Sequence, residues 1–187
     1  MKVIEEDWTV ARAVFAPGAE SPGVPRYGGN IRVRAVERGD LDGLWRMLSR
    51  SSSDTIYQRF HAPYPRVPER VMELLVDVDP RDGKALVAVA GEEIVGHAMY
   101  ARTRDEEAEI AVVVEDGWQS RGLGRLLIFE IASVARSRGV EVLYCSALVE
   151  NRRALDLSAL MFGEVESVFS GGLRWIRVPL RSLKEKV

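Results

Sequence analysis

The chain has 187 residues, 47% of them hydrophobic, which suits one well-buried domain and is short for two. Its 26 Lys and Arg against 28 Asp and Glu leave a formal charge of −2, and this speaks against a general nucleic-acid binder. No run of about 18 apolar residues is present, which excludes a spanning helix, and Cys145 as the single cysteine excludes an intrachain disulfide and a Cys-based zinc cluster.

In chain order, the opening carries Glu5, Glu6 and Asp7 in place of a basic and then apolar leader, so the cytoplasm is the expected compartment, without a membrane partner. Residues 1–29 read as an irregular segment: Pro17, Gly18, Pro22, Gly23, Pro25, Gly28 and Gly29 break it up, with room for one strand around 10–15. A half-buried strand is expected at 30–36, where Ile31, Val33 and Ala35 alternate with Arg32 and Arg34. Asp40 then stands as the cap of a helix bearing Leu41, Leu44, Trp45 and Leu48. Residues 49–54 form a polar break, and Pro63, Pro65 and Pro68 punctuate the connection to a second helix, with Pro68 as its first residue.

Strands follow at 84–90 and 93–101 around a Gly91-Glu92 turn, and a third at 108–114 makes a second hairpin with the preceding one. Leu123, Leu126, Leu127, Ile131, Val134 and Ala135 give the best helical repeat in the chain, stopped at Gly139. A short buried strand at 140–145, a helix capped by Asn151, and two strands at 164–170 and 173–180 around Gly171-Gly172 complete the set. The fold class is therefore α/β (α+β): one domain at 30–181, with a mixed central sheet and helices on both faces, and a tail at 182–187.

The segment richest in chemical information is 108–124. A β-rich run ends in Glu115-Asp116-Gly117, and Trp118-Gln119-Ser120-Arg121-Gly122-Leu123-Gly124 then opens the long helix. Glycines at a strand-to-helix turn admit close ligand approach, and the helix N-terminus presents unpaired N–H groups and a positive dipole end, together a pyrophosphate site. Arg121 and Arg125 add charge-assisted contacts. A dinucleotide fold would want a third glycine where Leu127 stands, and a P-loop would want Lys-Ser/Thr where Arg125 and Leu126 stand.

The turn resembles the pyrophosphate loop of the GNAT superfamily of N-acetyltransferases, Q/R-x-x-G-x-G/A, through Gln119, Gly122 and Gly124. The order of strands and helices over roughly residues 30–180 is also that family's order. The resemblance implies acetyl-CoA as co-substrate, with its pyrophosphate on Gln119, Ser120, Arg121, Gly122, Leu123, Gly124 and Arg125. It further implies that the fourth and fifth strands, here 108–114 and 140–145, splay apart around the pantetheine arm. Backbone groups of Val112, Val113 and Val114 would then pair with that arm. Asn151 matches an asparagine that contacts pantetheine, and it reads equally well as an ordinary helix cap. Where the family often has a tyrosine acid, this chain has Ser158, and its helix ends Met161-Phe162-Gly163 in place of Leu-Gly-Phe.

Glu109 is the expected general base. A lysine amine is only about one part in a thousand neutral near pH 7.5, so a proton must be removed before attack. Strand alternation places Glu109, Ala111 and Val113 opposite Ile110, Val112 and Val114, and a carboxylate is out of place in such a strand except as an exposed edge charge. A second resemblance points the same way. Tyr57, Arg59 and Phe60 match the S-x-Y-x-R-F of bacterial Pat-type protein lysine acetyltransferases, in the loop between the first and second helices. Ala108-Glu109-Ile110-Ala111 matches their Ala-Glu-hydrophobic-Ala, in which the glutamate is the base and the tyrosine acid is commonly missing.

His61 and His97, the only histidines, lie on different elements and are too few for a metal site; His97 reads as a satisfied structural residue and Cys145 as core. Trp118 is expected to pack at the base of the turn. The expected function is direct acetyl transfer to an amine, a protein lysine among the acceptors, with no metal and no nucleic acid. A polyamine, antibiotic or amino-acid acetyltransferase, or a CoA-binding sensor without turnover, are the alternatives. The oligomeric state, a homodimer included, is left open.

Overall fold

A computed structural model describes residues 12–13, 31–163 and 165–183. Most of the expected segment 1–29 and the end of the expected tail lie outside the described residues.

Turn chemistry sets the register of the sheet. Gly91, at φ 61°, closes the hairpin of β3 (Gly83–Ala90) and β4 (Glu93–Arg104). β5 (Glu107–Val114) returns antiparallel to β4 after Asp105 and Glu106, with Ala101 opposite Glu109 and Met99 opposite Ala111. β2 (Ile31–Ala35) adds to the far side of β3. Gly171 and Gly172, both at positive φ, make the tight turn between β7 (Val165–Ser170) and β8 (Leu173–Pro179). β6 (Val142–Leu148) lies between β8 and β5, and β1 (Arg12–Ala13) pairs with β7. Among the described residues eight strands run β1-β7-β8-β6-β5-β4-β3-β2, and every pairing is antiparallel except β5 with β6.

Helices cover both faces. Here α1 is Leu41–Arg50, α2 Ser53–Phe60 and α3 Glu69–Val76, while α4 is Leu123–Ser137 and α5 Arg152–Phe162. One core packs Leu123, Leu127 and Ile131 of α4 and Leu155 and Phe162 of α5 on Ala108, Ile110 and Leu143, and it extends to Leu183. The other packs Leu44, Met47, Ile56 and Met72 of α1, α2 and α3 on Val87, Val89 and Val113. The alternation expected along β5 is therefore real. Ile110, Val112 and Val114 face α4 and α5, and Val113 faces the first three helices.

The structure corrects the sequence reading in several places. Residues 53–60 form a helix where a polar break and connection were expected. Ser52 caps it by accepting the Thr55 N–H at 3.2 Å, and its amphipathic turn buries Thr55 and Ile56. Asp40 precedes α1 but its carboxylate does not cap it. The carboxylate takes a bidentate pair from Arg34 at 2.6 and 2.7 Å and the Glu37 N–H at 2.8 Å, which hold it below the usual carboxylate range. Pro68 is the extended residue before α3, not its first helical residue. β6 begins and ends later than the expected 140–145.

Candidate active site

The two parallel strands at the middle of the sheet pair over one short stretch only. Glu107, Ala108 and Glu109 oppose Val142, Leu143 and Tyr144, and beyond that rung β5 continues to Val114 and β6 to Leu148 without a ladder between them. The sheet is thus splayed at the strand pair expected from the sequence. Glu109 stands on the last rung before the fork.

At the far end of β5 the chain passes through a short 3₁₀ turn, Asp116–Trp118, and enters α4. Ser120 and Gly122 both adopt left-handed backbone, at φ 59° and 88°. For Gly122 this conformation is free of Cβ strain. Gly122, the N-cap of α4, has no side chain to cap it, and the first N–H groups of a helix lack intrahelical partners and carry its positive dipole end. Gly124 has ordinary backbone and a Cβ there would meet Leu157 Cδ2 at 3.5 Å and Val114 Cγ2 at 3.9 Å, so neither backbone nor packing demands glycine. A polyanion such as the pyrophosphate of acetyl-CoA fits this donor set. Arg121 lies with its guanidinium 5.4 Å from the Trp118 ring centroid, a cation–π contact. Trp118 packs against the core beneath the turn, as expected.

A hydrogen-bond network ties this turn to α2. The Asp116 carboxylate accepts from Ser52 N–H at 2.7 Å, Ser52 O–H at 2.8 Å and Thr55 O–H at 3.0 Å. Gln119 Nε2 donates to Thr55 Oγ1 and to the Val114 carbonyl, both at 3.0 Å, and its Oε1 accepts from Arg153 at 2.6 Å. Gln119 therefore braces the turn through its side chain, and one lone pair of the Val114 carbonyl is already engaged. Arg50 of α1 adds a pair with Glu115 at 2.7 Å. Asn151 Oδ1 accepts the Ala154 N–H at 3.1 Å, the helix-cap reading of that residue, which leaves its amide N–H₂ for other contacts.

On the α1–α3 face, Glu109 is part-buried. Burial pushes its carboxyl above the ordinary value, while the charge of Arg59 pulls it back down, with a net rise. Arg59 reaches in from the last turn of α2: its Nη2 lies 3.5 Å from Met99 Sδ and its Cζ 4.9 Å from the Phe60 ring centroid. Tyr144, opposite Glu109, donates to Glu107 at 3.0 Å. On the other face, Cys145 Sγ is 3.9 Å from Ser158 Oγ, which donates to the Ala154 carbonyl at 2.9 Å. Burial pushes the Cys145 thiol up to about 11, so it stays protonated and unreactive at neutral pH.

His97 is fully buried in β4, with Nε2 donating to the Leu75 carbonyl at 3.1 Å and Nδ1 without a partner among the described residues. The expectation of a satisfied histidine is met at one nitrogen only. Burial, with help from Arg59, holds it neutral with its pKa lowered to about 3. Among the described residues no group of three metal-ligating side chains occurs, and no helix is long and apolar enough to cross a membrane.

The fold thus gathers Gln119, Ser120, Arg121, Gly122, Leu123, Gly124 and Arg125 at one end of β5 and Glu109 at the other, with Val112, Val113 and Val114 along the fork between them. Sequence reasoning missed the bracing set Ser52, Thr55 and Asp116 and the approach of Arg59 to Glu109. The match of Tyr57, Arg59 and Phe60 marked that segment, but nothing local to it predicts contacts to residues as far along the chain as Asp116 and Gln119.

Residues 45–162 match the acetyltransferase (GNAT) family. An acetyltransferase of Pseudomonas aeruginosa is 27% identical over 135 residues, covering 70% of this chain and 73% of that protein. The acetyltransferase Pat of Mycolicibacterium smegmatis is 30% identical over 139 residues, 70% of this chain, and the match spans only 41% of that longer protein. Among solved structures, the GNAT domain of S. lividans PAT superposes with a TM-score of 0.76 at 28% identity, covering 86% of this chain and 99% of that domain. The family's co-substrate is acetyl-CoA. The chain belongs to the GNAT family of acetyltransferases and is an acyltransferase.

Proposed function

We propose that the chain acetylates a protein lysine from acetyl-CoA by direct transfer, with Glu109 as general base. The observation that carries this reading is the position of Glu109 on the last β5–β6 rung, where the strands part. Acetyl-CoA would lie in the fork, its pantetheine along Val112, Val113 and Val114 and near Asn151. Its pyrophosphate would rest on Ser120, Arg121, Gly122, Leu123, Gly124 and Arg125, with Gln119 holding the turn in shape. Glu109 takes a proton from the acceptor ammonium, directly or through water, and the free amine attacks the thioester carbonyl. The C–N bond forms, the C–S bond breaks, the attacking nitrogen gives up its second proton to solvent to become the amide, and CoA leaves as a thiolate that takes a proton from solvent. A backbone N–H near Val112 stabilises the developing oxyanion.

The Ser158 hydroxyl is engaged by the Ala154 carbonyl and is a weak acid, so it is given no role in protonating the thiolate. The protein-lysine acceptor is supported by Tyr57, Arg59 and Phe60 on α2, on the same side of the sheet as Glu109, and by the likeness to Pat proteins. Incubation with acetyl-CoA and a proteome extract, followed by mapping of acetyl-lysine, should give discrete sites above the non-enzymatic background. Brisk acetylation of a polyamine or aminoglycoside with no such sites would move the acceptor to the small-molecule class. Neither product, with tight CoA binding retained, would favour a sensor.

A further inference from the structure

Arg59 sits at the end of α2, and among the described residues no hydroxyl, carbonyl or carboxylate receives its guanidinium. Its Nε is buried without a hydrogen-bond acceptor among the described residues, its Nη2 meets only the thioether of Met99 at 3.5 Å, and its plane lies near the Phe60 ring. Leaving a cation so poorly paired is costly, and burial lowers its pKa to about 10, still charged at neutral pH. Such a placement calls for an anion at longer range.

The register supplies it. Met99 opposes Ala111, and two residues away on the same face Ala101 opposes Glu109, so the guanidinium lies over a patch of β4 and β5 that ends in the Glu109 carboxylate. No direct ion pair joins the two within 4 Å, which leaves Glu109 free to accept a proton. We propose that Arg59 is a positioning residue for the base. Seated on Met99 and Phe60, its fixed charge keeps Glu109 ionised in a part-buried site without blocking its oxygens.

Among the described residues, the other groups around Glu109 do not supply that charge. His61, following α2, is held neutral by burial and by Arg59, and its Nε2 has no partner among the described residues. His97 is neutral on the next strand, and the Tyr144 hydroxyl and Cys145 thiol on β6 are both raised and protonated. Glu107, two residues back, accepts from Tyr144, and Arg177 pairs with Glu166 at 3.3 Å.

This inference rests on the reading of Glu109 as base, and the experiment separates the two. Profiles of kcat/KM against pH are measured for wild type, Arg59→Met, Arg59→Lys and Glu109→Gln, with CoA affinity and circular dichroism as folding controls. In Arg59→Met the acid limb should move up by about one pH unit, a tenfold loss on that limb that vanishes at high pH. Arg59→Lys, which keeps the cation, should hold the limb near the wild-type position. Glu109→Gln should remove the limb that Glu109 sets and leave only the rise at higher pH that follows neutralisation of the amine itself. If Glu109→Gln retains that limb, the base reading fails and this inference with it. A limb that depends on Glu109 and stays fixed in Arg59→Met overturns the role of Arg59 alone. If Arg59→Met does not fold, the same profile on Arg59→Gln decides, and an unmoved limb there overturns the proposal equally.

Discussion

The turn into α4 and the wall around Glu109 lie at opposite ends of one strand and are built in different ways. The turn is a backbone device: Ser120 and Gly122 in left-handed conformation, an uncapped helix N-terminus, and a glycine at 124 that folding does not require. Its chemistry comes from N–H groups that nearly any side chains would leave in place. The wall is a side-chain device. Glu109 comes from β5, Arg59 from α2, and Met99 and His97 from β4, and each acts only because the others are near. In the proposed function, binding is therefore entrusted to local geometry and proton transfer to tertiary assembly.

The largest effect that would break this division is at the turn. Gly124→Glu adds bulk and negative charge where the pyrophosphate is proposed to sit, and should abolish acetyl-CoA binding while the domain stays folded. Isothermal titration with circular dichroism measures both, and a folded variant with unchanged CoA affinity would remove the pyrophosphate from this turn.

A smaller effect sharpens the picture of the wall's floor. His97 is neutral in the fold with its pKa near 3 against an ordinary 6.5, so the unfolded chain binds the extra proton between those values. Stability from this source is complete above about pH 6.5 and falls as pH drops, by about 2 kcal/mol at pH 5. His97→Gln has an N–H donor and no titration, so its urea unfolding free energy should lose about 2 kcal/mol less than wild type between pH 7 and pH 5. Equal losses in the two proteins would mean that His97 titrates normally in the fold.

The same contrast explains what the sequence disclosed. The turn was legible because its signals are local: Gly122 and Gly124 adjoin the helix they open, and the period of Leu123, Leu127 and Ile131 fixes where that helix points. The splayed pair was legible through the family order of strands, and the observed ladder stops at Glu109 and Tyr144. Helix α2 was not, because Ser51, Ser52 and Ser53 look like a loop and eight residues give little periodicity. What holds it is the Ser52 cap together with Asp116, a carboxylate far along the chain. Gln119 was legible as part of the turn, but its bracing of Thr55 and Val114 appears only when α2 is folded against β5. Glu109 was legible as a carboxylate out of place on an apolar strand, and the Arg59 guanidinium near it, without an ion-pair partner among the described residues, was not, since periodicity cannot show which cation a fold leaves without an anion.

The central claim is that binding and proton transfer are separable along β5, with Glu109 serving only the second. Glu109→Gln keeps size and hydrogen-bonding reach and removes the proton-accepting charge, so CoA dissociation constant and amine acetylation rate should be measured on one preparation of that variant. The account predicts CoA affinity within about twofold of wild type and turnover near pH 7.5 lower by about a hundredfold, partly restored as pH rises and the amine is already neutral. Wild-type turnover with an unchanged pH profile would contradict it and make Glu109 a strand-edge charge.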